Sequence, residues 1–516
     1  VASERGAPWR WAPWRWAASR LPRWWPYALI AFVTLLIRLP TIGNPILDFD
    51  EQLYLLVGDG MWHDQLPYVD MWDRKPLGLF AFYAAIRLLG GDGIVQYQLV
   101  AAACVAITAC LIRAMARRHA SETAAVVVAI AYVLTLNVLH GAGGQAAVIY
   151  NALTAFAVWC AFNANDEERA GAVARQALAA MLAMGIAIQF KYTPVIEGIF
   201  LGCWFLWRFW RLGVAPTRVV ALATAMVLAA LAPTALAIGC YAANGHLDDY
   251  IYANFVSIFR RLPFSAQVRH DQAMTIIAMA GGLIATGLWG LWQSRQRLPD
   301  TARSDFWLLA GWVASAFAGF ALLGDFFDFY FITVALPLAL ASAGAVRRGP
   351  HGFAAACLLL LWPALGTPAY YFLRGHYQHA TARMVARIQP YVVGHPLYVY
   401  DGPAVLYLLT KAQAPTRYIY PDHLNNPVEA MALGVDPVVE EQRVLAARPG
   451  AIVTASRPVV PHVAPGTQAL VRAALARDYV LVDRVPTFDR TFFIWARRDL
   501  HPGPAPIHDP RADNPQ

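Results

Sequence analysis

The chain has 516 residues, of which 58% are hydrophobic and 14% charged, with a formal net charge of +8. Soluble domains carry about a quarter charged residues. That deficit, with a mean hydropathy of +0.42, excludes an ordinary soluble protein and fits a polytopic α-helical membrane protein. The basic excess sits in short arginine clusters between apolar runs, with no Lys/Arg stripe of interleaved aromatics, which argues against a nucleic-acid partner.

Residues 1–26 alternate bulky aromatics with arginine: Trp9-Arg10-Trp11, Trp14-Arg15-Trp16, then Arg20 and Arg23. The segment does not read as a cleavable signal. Trp and Arg favour the headgroup layer, so it reads as a cytoplasmic interfacial anchor. Apolar runs follow from Tyr27 to residue 373. Arginine clusters occupy alternate loops between them: Arg113/Arg117/Arg118, Arg169/Arg175, Arg208/Arg211/Arg218, Arg295/Arg297/Arg303 and Arg347/Arg348. The positive-inside rule places these in the cytoplasm and turns loops 43–93, 140–147, 190–194, 243–271 and 323–329 outward, which gives about eleven spans.

The run Leu77–Leu89 tests this scheme. As a helix it reaches roughly 20 Å against the ~30 Å of hydrocarbon a span must cross. It also carries Arg87. It therefore reads as an interfacial helix, paired in the outer loop with a second one over Glu51–Trp62, and the next true span is Val95–Met115. The six cysteines all lie in apolar runs without a CxxC pair and read as small packing residues.

From residue 374 the pattern changes. Strand-like runs (Pro396–Tyr400, Thr416–Tyr420, Ala451–Thr454, Tyr479–Val482, Thr491–Trp495) alternate with helical stretches (Ala404–Thr410, Val428–Ala447, Thr467–Arg477), which predicts a small α/β domain over 374–500. It has no Gly-rich phosphate loop and hence no nucleotide-site signature. The Pro-rich tail 501–516 reads as disordered.

The outer loop 43–93 concentrates the charge. Asp48, Asp50 and Glu51 open it, and Asp73, Arg74 and Lys75 follow before Pro76 and Gly78. Charge beside a membrane segment defaults to function. Asp48 reads as the cap of the next helix. Asp50, with Glu51 beside it, has the chemistry to take a proton from an attacking hydroxyl. Lys75, Arg74 and Lys191, the last set deep in the apolar pattern at an outer helix end, suit a phosphate leaving group, with Arg260 and Arg261 as further cations. Tyr54 and Trp72 suit packing on sugar or prenyl surface, or ordinary interfacial packing. The outward histidines His63, His140, His246 and His270 show no HxxxH spacing, so no metal site is assigned, although a divalent ion stays open as an alternative.

The pattern Asp50-Glu51-x-x-Tyr54, then Leu66-Pro67-Tyr68-x-Asp70-x-Trp72-Asp73-x-Lys75-Pro76-x-Gly78, resembles the first external loop of GT-C glycosyltransferases of the protein-mannosyltransferase and aminoarabinose-transferase type (glycosyltransferase family 39-like). Phe190-Lys191-Tyr192-Thr193-Pro194 resembles the family's lysine-containing helix break, and Tyr330-Phe331-Ile332 with Pro337-Leu338 resembles its late helix. The resemblance implies a GT-C fold in the bacterial inner membrane with a periplasmic C-terminal domain. It implies a polyprenyl-phosphate sugar donor, an acceptor hydroxyl on lipid, polysaccharide or protein, and inversion at the anomeric carbon. It carries over Asp50 as the catalytic acid of the loop and Lys75 on the phosphate side. It also exposes a departure: Asn151 stands where many relatives place a second acidic residue, and an amide orients a hydroxyl but takes no proton from it at neutral pH. Two rival readings stay open: a metal-dependent oligosaccharyl or lipid-linked-glycan transferase on the same scaffold, and a lipid or solute transporter. The second lacks the inverted repeat transporters usually show.

Overall fold

The computed structural model describes residues 22–459 and 462–501. The interfacial reading of residues 1–21 and the disordered reading of 502–516 fall outside them.

Among the described residues, seven helices are long and apolar enough to cross a membrane. They are α4 (Ile94–Ala116), α6 (Ala146–Asn165), α7 (Ala170–Ile188), α9 (Pro216–Ala243), α10 (Ala266–Arg297), α11 (Arg303–Leu323) and α13 (Pro350–Val392). Four shorter helices lie between or beside them, α1 (Trp25–Arg38), α5 (Glu122–Val138), α8 (Val195–Arg211) and α12 (Ile332–Ser342), where the sequence pattern predicts further spans. The most apolar stretch of α9 is only 6% buried, so this helix turns nearly all of its hydrophobic surface outward. That is stable only against lipid or another apolar surface. By contrast α12 is buried all round. Glycines let it approach α10: a Cβ on Gly290 would strike the Ala341 carbonyl, and one on Gly344 would strike the Gly290 carbonyl.

The two short helices of the first loop form as expected: α2 (Phe49–Gly60) and α3 (Leu77–Arg87). Their environment differs from an interface. Leu53, Leu56 and Val57 face the bundle, but Gln52, Tyr54 and Leu55 on the other sides of α2 are buried as well. The C-terminal domain supplies the extra cover: the Val405 N–H donates to Gln52 Oε1 at 3.2 Å.

Helix α13 runs unbroken through the domain boundary expected at 373 and carries Pro363, Pro368 and Pro390 inside it. Beyond it lies a four-stranded mixed sheet of order β1-β2-β4-β3, built from β1 (Leu397–Val399), β2 (Ala451–Ala455), β3 (Tyr479–Pro486) and β4 (Thr491–Arg497). β1 and β2 are parallel, and the other pairs antiparallel. Helices α14 (Pro437–Ala446) and α15 (Pro465–Asp478) pack on it. Two expectations fail here. Thr416–Tyr420 is a loop rather than a strand. The stretch Val428–Ala447 is not one helix, because Gly434 at φ +78 and Pro437 break it.

The loops expected on one side do converge at one end of the bundle. The Tyr241 hydroxyl donates to the Pro67 carbonyl at 3.0 Å, Tyr192 to Asn254 at 2.7 Å, and the Leu262 N–H to the Val428 carbonyl at 3.1 Å. The arginine clusters gather at the opposite end.

Candidate active site

Asp48 sets the first turn. Its backbone is extended (φ −143), and its carboxylate accepts from the Phe49 N–H at 2.6 Å, so it caps α2 as expected. The helix then sends Asp50 and Glu51 in different directions. The Asp50 carboxylate is half-buried and accepts two phenol hydroxyls, Tyr54 at 3.1 Å and Tyr420 at 3.2 Å. Glu51 is fully buried against Gly143. Neither of its oxygens has a hydrogen-bond partner among the described residues. Burial, and next the charge of Asp48, push its pKa up to about 8. The Gly144 N–H and the Tyr97 hydroxyl face it outside hydrogen-bond geometry and offset only part of that.

The Leu66-Pro67-Tyr68 turn fixes the other end of the loop. Tyr68 adopts φ +70, a costly conformation for an aromatic residue. It is held there by Phe80, Tyr241 and Tyr250 around its ring, and its hydroxyl donates to the Lys75 carbonyl at 2.8 Å. Asp73, buried, accepts from the Lys75 N–H at 3.0 Å and pairs with Lys75 Nζ at 3.7 Å. Asp73 thus holds Lys75 rather than facing open space. Lys75 Nζ also lies 5.3 Å over the Tyr54 ring, whose hydroxyl reaches Asp50. Burial works against the Lys75 charge, but Asp50 and Asp73 outweigh it and raise its pKa.

Lys191 enters from the turn between α7 and α8. That turn is pinned to the first loop: the Leu79 N–H donates to the Gln189 carbonyl at 2.9 Å, and a Cβ on Gly78 would collide with Gln189. Lys191 Nζ sits 3.4 Å over the Tyr330 ring without a carboxylate partner among the described residues. Burial, then the neighbouring Lys75 charge, lower its pKa to about 7.

Arg74 and Arg261 form the third part. Both guanidiniums grip Glu429 of the C-terminal domain, and Arg261 also pairs with Asp325. The three first-loop and inter-helix elements are thereby tied to the domain above them.

Residues 74–236 match the model of the dolichyl-phosphate-mannose-protein mannosyltransferase family. Among solved structures, the chain is similar to ArnT from Cupriavidus metallidurans bound to undecaprenyl phosphate, at 14% identity and a TM-score of 0.66 over 94% of this chain and 100% of that one. The apo state of the same protein gives 15% identity and a TM-score of 0.61, over 92% of this chain and 98% of that one. No curated protein matches. Of the site residues just described, the match contains Arg74, Lys75 and Lys191, while Asp50, Glu51, Asp73, Arg261, Tyr420 and Glu429 lie outside it. The chain has the fold of ArnT, and its residues 74–236 resemble the protein-mannosyltransferase family.

The remaining expected residues are placed as follows. Asn151 is fully buried inside the bundle, where its Nδ2 donates to the Tyr132 hydroxyl at 3.0 Å and the Ile332 carbonyl at 3.1 Å. Arg260 is exposed and lies 5.6 Å over the Tyr252 ring, apart from the cationic group. Trp72 is 1% exposed, wedged against His423 and Tyr418, and its N–H donates to the Arg417 carbonyl at 2.9 Å. It docks the C-terminal domain and has no free face for a sugar. Among the described residues, no three His, Cys, Asp or Glu side chains group as a metal site. Sequence reasoning missed Tyr420, Glu429 and Asp325. No local motif marks them.

Proposed function

We propose that this chain is a GT-C glycosyltransferase that moves a sugar from a polyprenyl-phosphate carrier to an acceptor hydroxyl at the loop end of the bundle, with Asp50 as the general base. The meeting of Asp50 with Lys75 and Lys191 at one edge of an apolar bundle carries this reading. The bound undecaprenyl phosphate of the Cupriavidus metallidurans ArnT supports a lipid-phosphate donor.

The chemistry follows from the groups. An acceptor hydroxyl beside Asp50 passes its proton to the carboxylate as its oxygen attacks the anomeric carbon. The bond from that carbon to the phosphate oxygen breaks, and the bonding electrons leave with the lipid phosphate. Attack opposite the departing phosphate inverts the centre. The leaving group is already an anion, so it needs cations rather than a proton donor. Lys75 and Lys191 are placed for that. Lys191 lacks a carboxylate partner and has the freer charge. Arg74 and Arg261 are held by Glu429, and on this reading they shape the pocket instead of carrying the phosphate. Glu51 supports the loop from beneath. The C-terminal domain contributes Tyr420 and covers the site.

In this reading the loop end faces the periplasm of a bacterial inner membrane, with the N-terminus in the cytoplasm. The acceptor is a lipid, polysaccharide or protein hydroxyl. Membranes carrying Asp50→Asn, supplied with labelled lipid-linked sugar, test the base: transfer is lost while donor binding stays. Normal transfer by that variant overturns the assignment. Cysteine labelling of positions 48 to 75 tests the side of the membrane.

A further inference from the structure

A cavity lies at the other end of the molecule. Between the arginine-bearing ends of α4, α10, α11 and α12 there is a cleft of about 680 Å³. Its floor is apolar, from Met115, Phe162, Phe306, Leu309 and Leu340. Its rim carries Arg297, at the end of α10, and Arg347 and Arg348, just before α13. All three arginines are exposed.

Charge pairing separates these three from their neighbours. Arg113 and Arg117 are satisfied by Glu122, and Arg118 by Asp166 and Asp305. The one acid lining the cleft, Asp305, is already used: it accepts from Arg118 at 2.8 Å, from His119 at 2.7 Å and from Asn165 at 2.8 Å. Among the described residues, Arg297, Arg347 and Arg348 have neither a carboxylate partner nor a side-chain hydrogen bond. The cleft therefore presents three uncompensated positive charges above a hydrophobic floor.

That combination selects the occupant. A free phosphate would use the rim and leave the apolar floor to water with few polar partners. A neutral apolar molecule would leave the guanidiniums unpaired. An anionic amphiphile satisfies both, and the cleft is of the size that holds a small-molecule ligand or part of a lipid. The arginine clusters sit where the bundle ends, which is headgroup height if the apolar helices span a bilayer. We propose that this cleft binds an anionic phospholipid, with its phosphate on Arg297, Arg347 and Arg348 and the start of its acyl chains on the apolar floor. The site is separate from the catalytic loops and does not depend on the reaction proposed for them.

Native mass spectrometry of the purified full-length protein tests this, with phosphatidylglycerol and phosphatidylcholine offered at equal concentration. The wild type is expected to retain phosphatidylglycerol selectively. The triple variant R297Q/R347Q/R348Q is expected to lose at least about tenfold of that retention, and the triple lysine variant to keep much of it. A control, R211Q/R218Q/R295Q, removes the same charge from exposed arginines at the same end outside the cleft. It is expected to bind as the wild type does. An equal loss in the control, or equal retention of phosphatidylcholine, overturns the proposal. Complete displacement of phosphatidylglycerol by millimolar inorganic phosphate also overturns it, because the apolar floor would then add nothing.

Discussion

Tyr420 of the C-terminal domain donates its hydroxyl to the carboxylate of Asp50 at 3.2 Å, across 370 positions of sequence. Tyr54 donates to the other oxygen from one helical turn away. The two phenols fix the orientation of the carboxylate. The proposal that Asp50 is the base can be tested at two levels. Asp50→Asn keeps the shape and removes the proton acceptor, so transfer is expected to fall about 10²–10⁴-fold, the usual range for a general base. Tyr420→Phe removes only the hydrogen bond. It is expected to lower the turnover rate by about tenfold, with the donor KM little changed, since a hydrogen bond to a charged group is worth ~1.5–3 kcal/mol. Both are read as initial rates with labelled lipid-linked sugar. A Tyr420→Phe enzyme with an altered KM and unaltered turnover would place Tyr420 on the substrate instead.

If Lys191 holds the donor phosphate as proposed, it gives the reaction a pH signature. Its pKa is lowered to about 7 by burial and then by Lys75. Below that value the side chain is charged and attracts phosphate, and above it the charge is lost. Donor capture, measured as kcat/KM for the lipid-linked sugar, is therefore expected to fall as pH rises from 6 to 8.5. Lys191→Arg keeps its charge across this range and is expected to flatten the limb. Lys191→Met is expected to bind donor weakly at every pH. An unchanged limb in the arginine variant would assign it to another group.

Much of the first loop was legible because its parts lie close in sequence. Asp48 answers to a local rule, the helix cap, and the structure shows it capping, whereas the close approach of Gly78 to Gln189 is a long-range contact that the motif alone does not reveal. The C-terminal contribution was not legible, because it depends on docking. Tyr418 faces the domain core and Tyr420 faces Asp50, and that alternation imitates a strand although the backbone pairs with none. Trp72 has the look of a sugar platform, yet the domain closes over it. The end of the apolar pattern at 373 marks a change of surroundings along α13, not the end of the helix. Asn151 was noticed for what it replaces, but its burial beneath the site could not be read from one sequence.

Glu51 stores a proton in the folded chain. Its carboxyl is pushed up to about 8 by burial, against 4.5 when exposed. Between those values the folded chain holds a proton that the unfolded chain has released, so stability falls as pH rises. The contribution is complete below pH 4.5 and is gone once pH passes about 8. Glu51→Gln, neutral at every pH, is expected to remove this component: its melting temperature in detergent should fall less than that of the wild type between pH 6 and pH 9. The same variant is expected to keep most of its transfer at pH 6, because Glu51 points under the loop and not toward Asp50's partners. Loss of transfer at that pH, with the melting temperature intact, would give Glu51 a chemical role.

Restoring an acid at position 151 should not improve the enzyme. Asn151 uses its amide hydrogens, donating to the Tyr132 hydroxyl and the Ile332 carbonyl in a fully buried position. An ionised aspartate has no hydrogen to donate, so its oxygen would face the Ile332 carbonyl oxygen with no water to separate them. The folded chain must either bear that repulsion or protonate the new acid. Asn151→Asp is therefore expected to cost about 1–3 kcal/mol of stability, seen as a lower melting temperature that partly recovers at acid pH. Transfer should fall with the folded fraction and not rise above the wild type. A variant with unchanged melting and faster transfer would show that position 151 reaches the acceptor, and that Asp50 does not work as the only acid at the reacting hydroxyl.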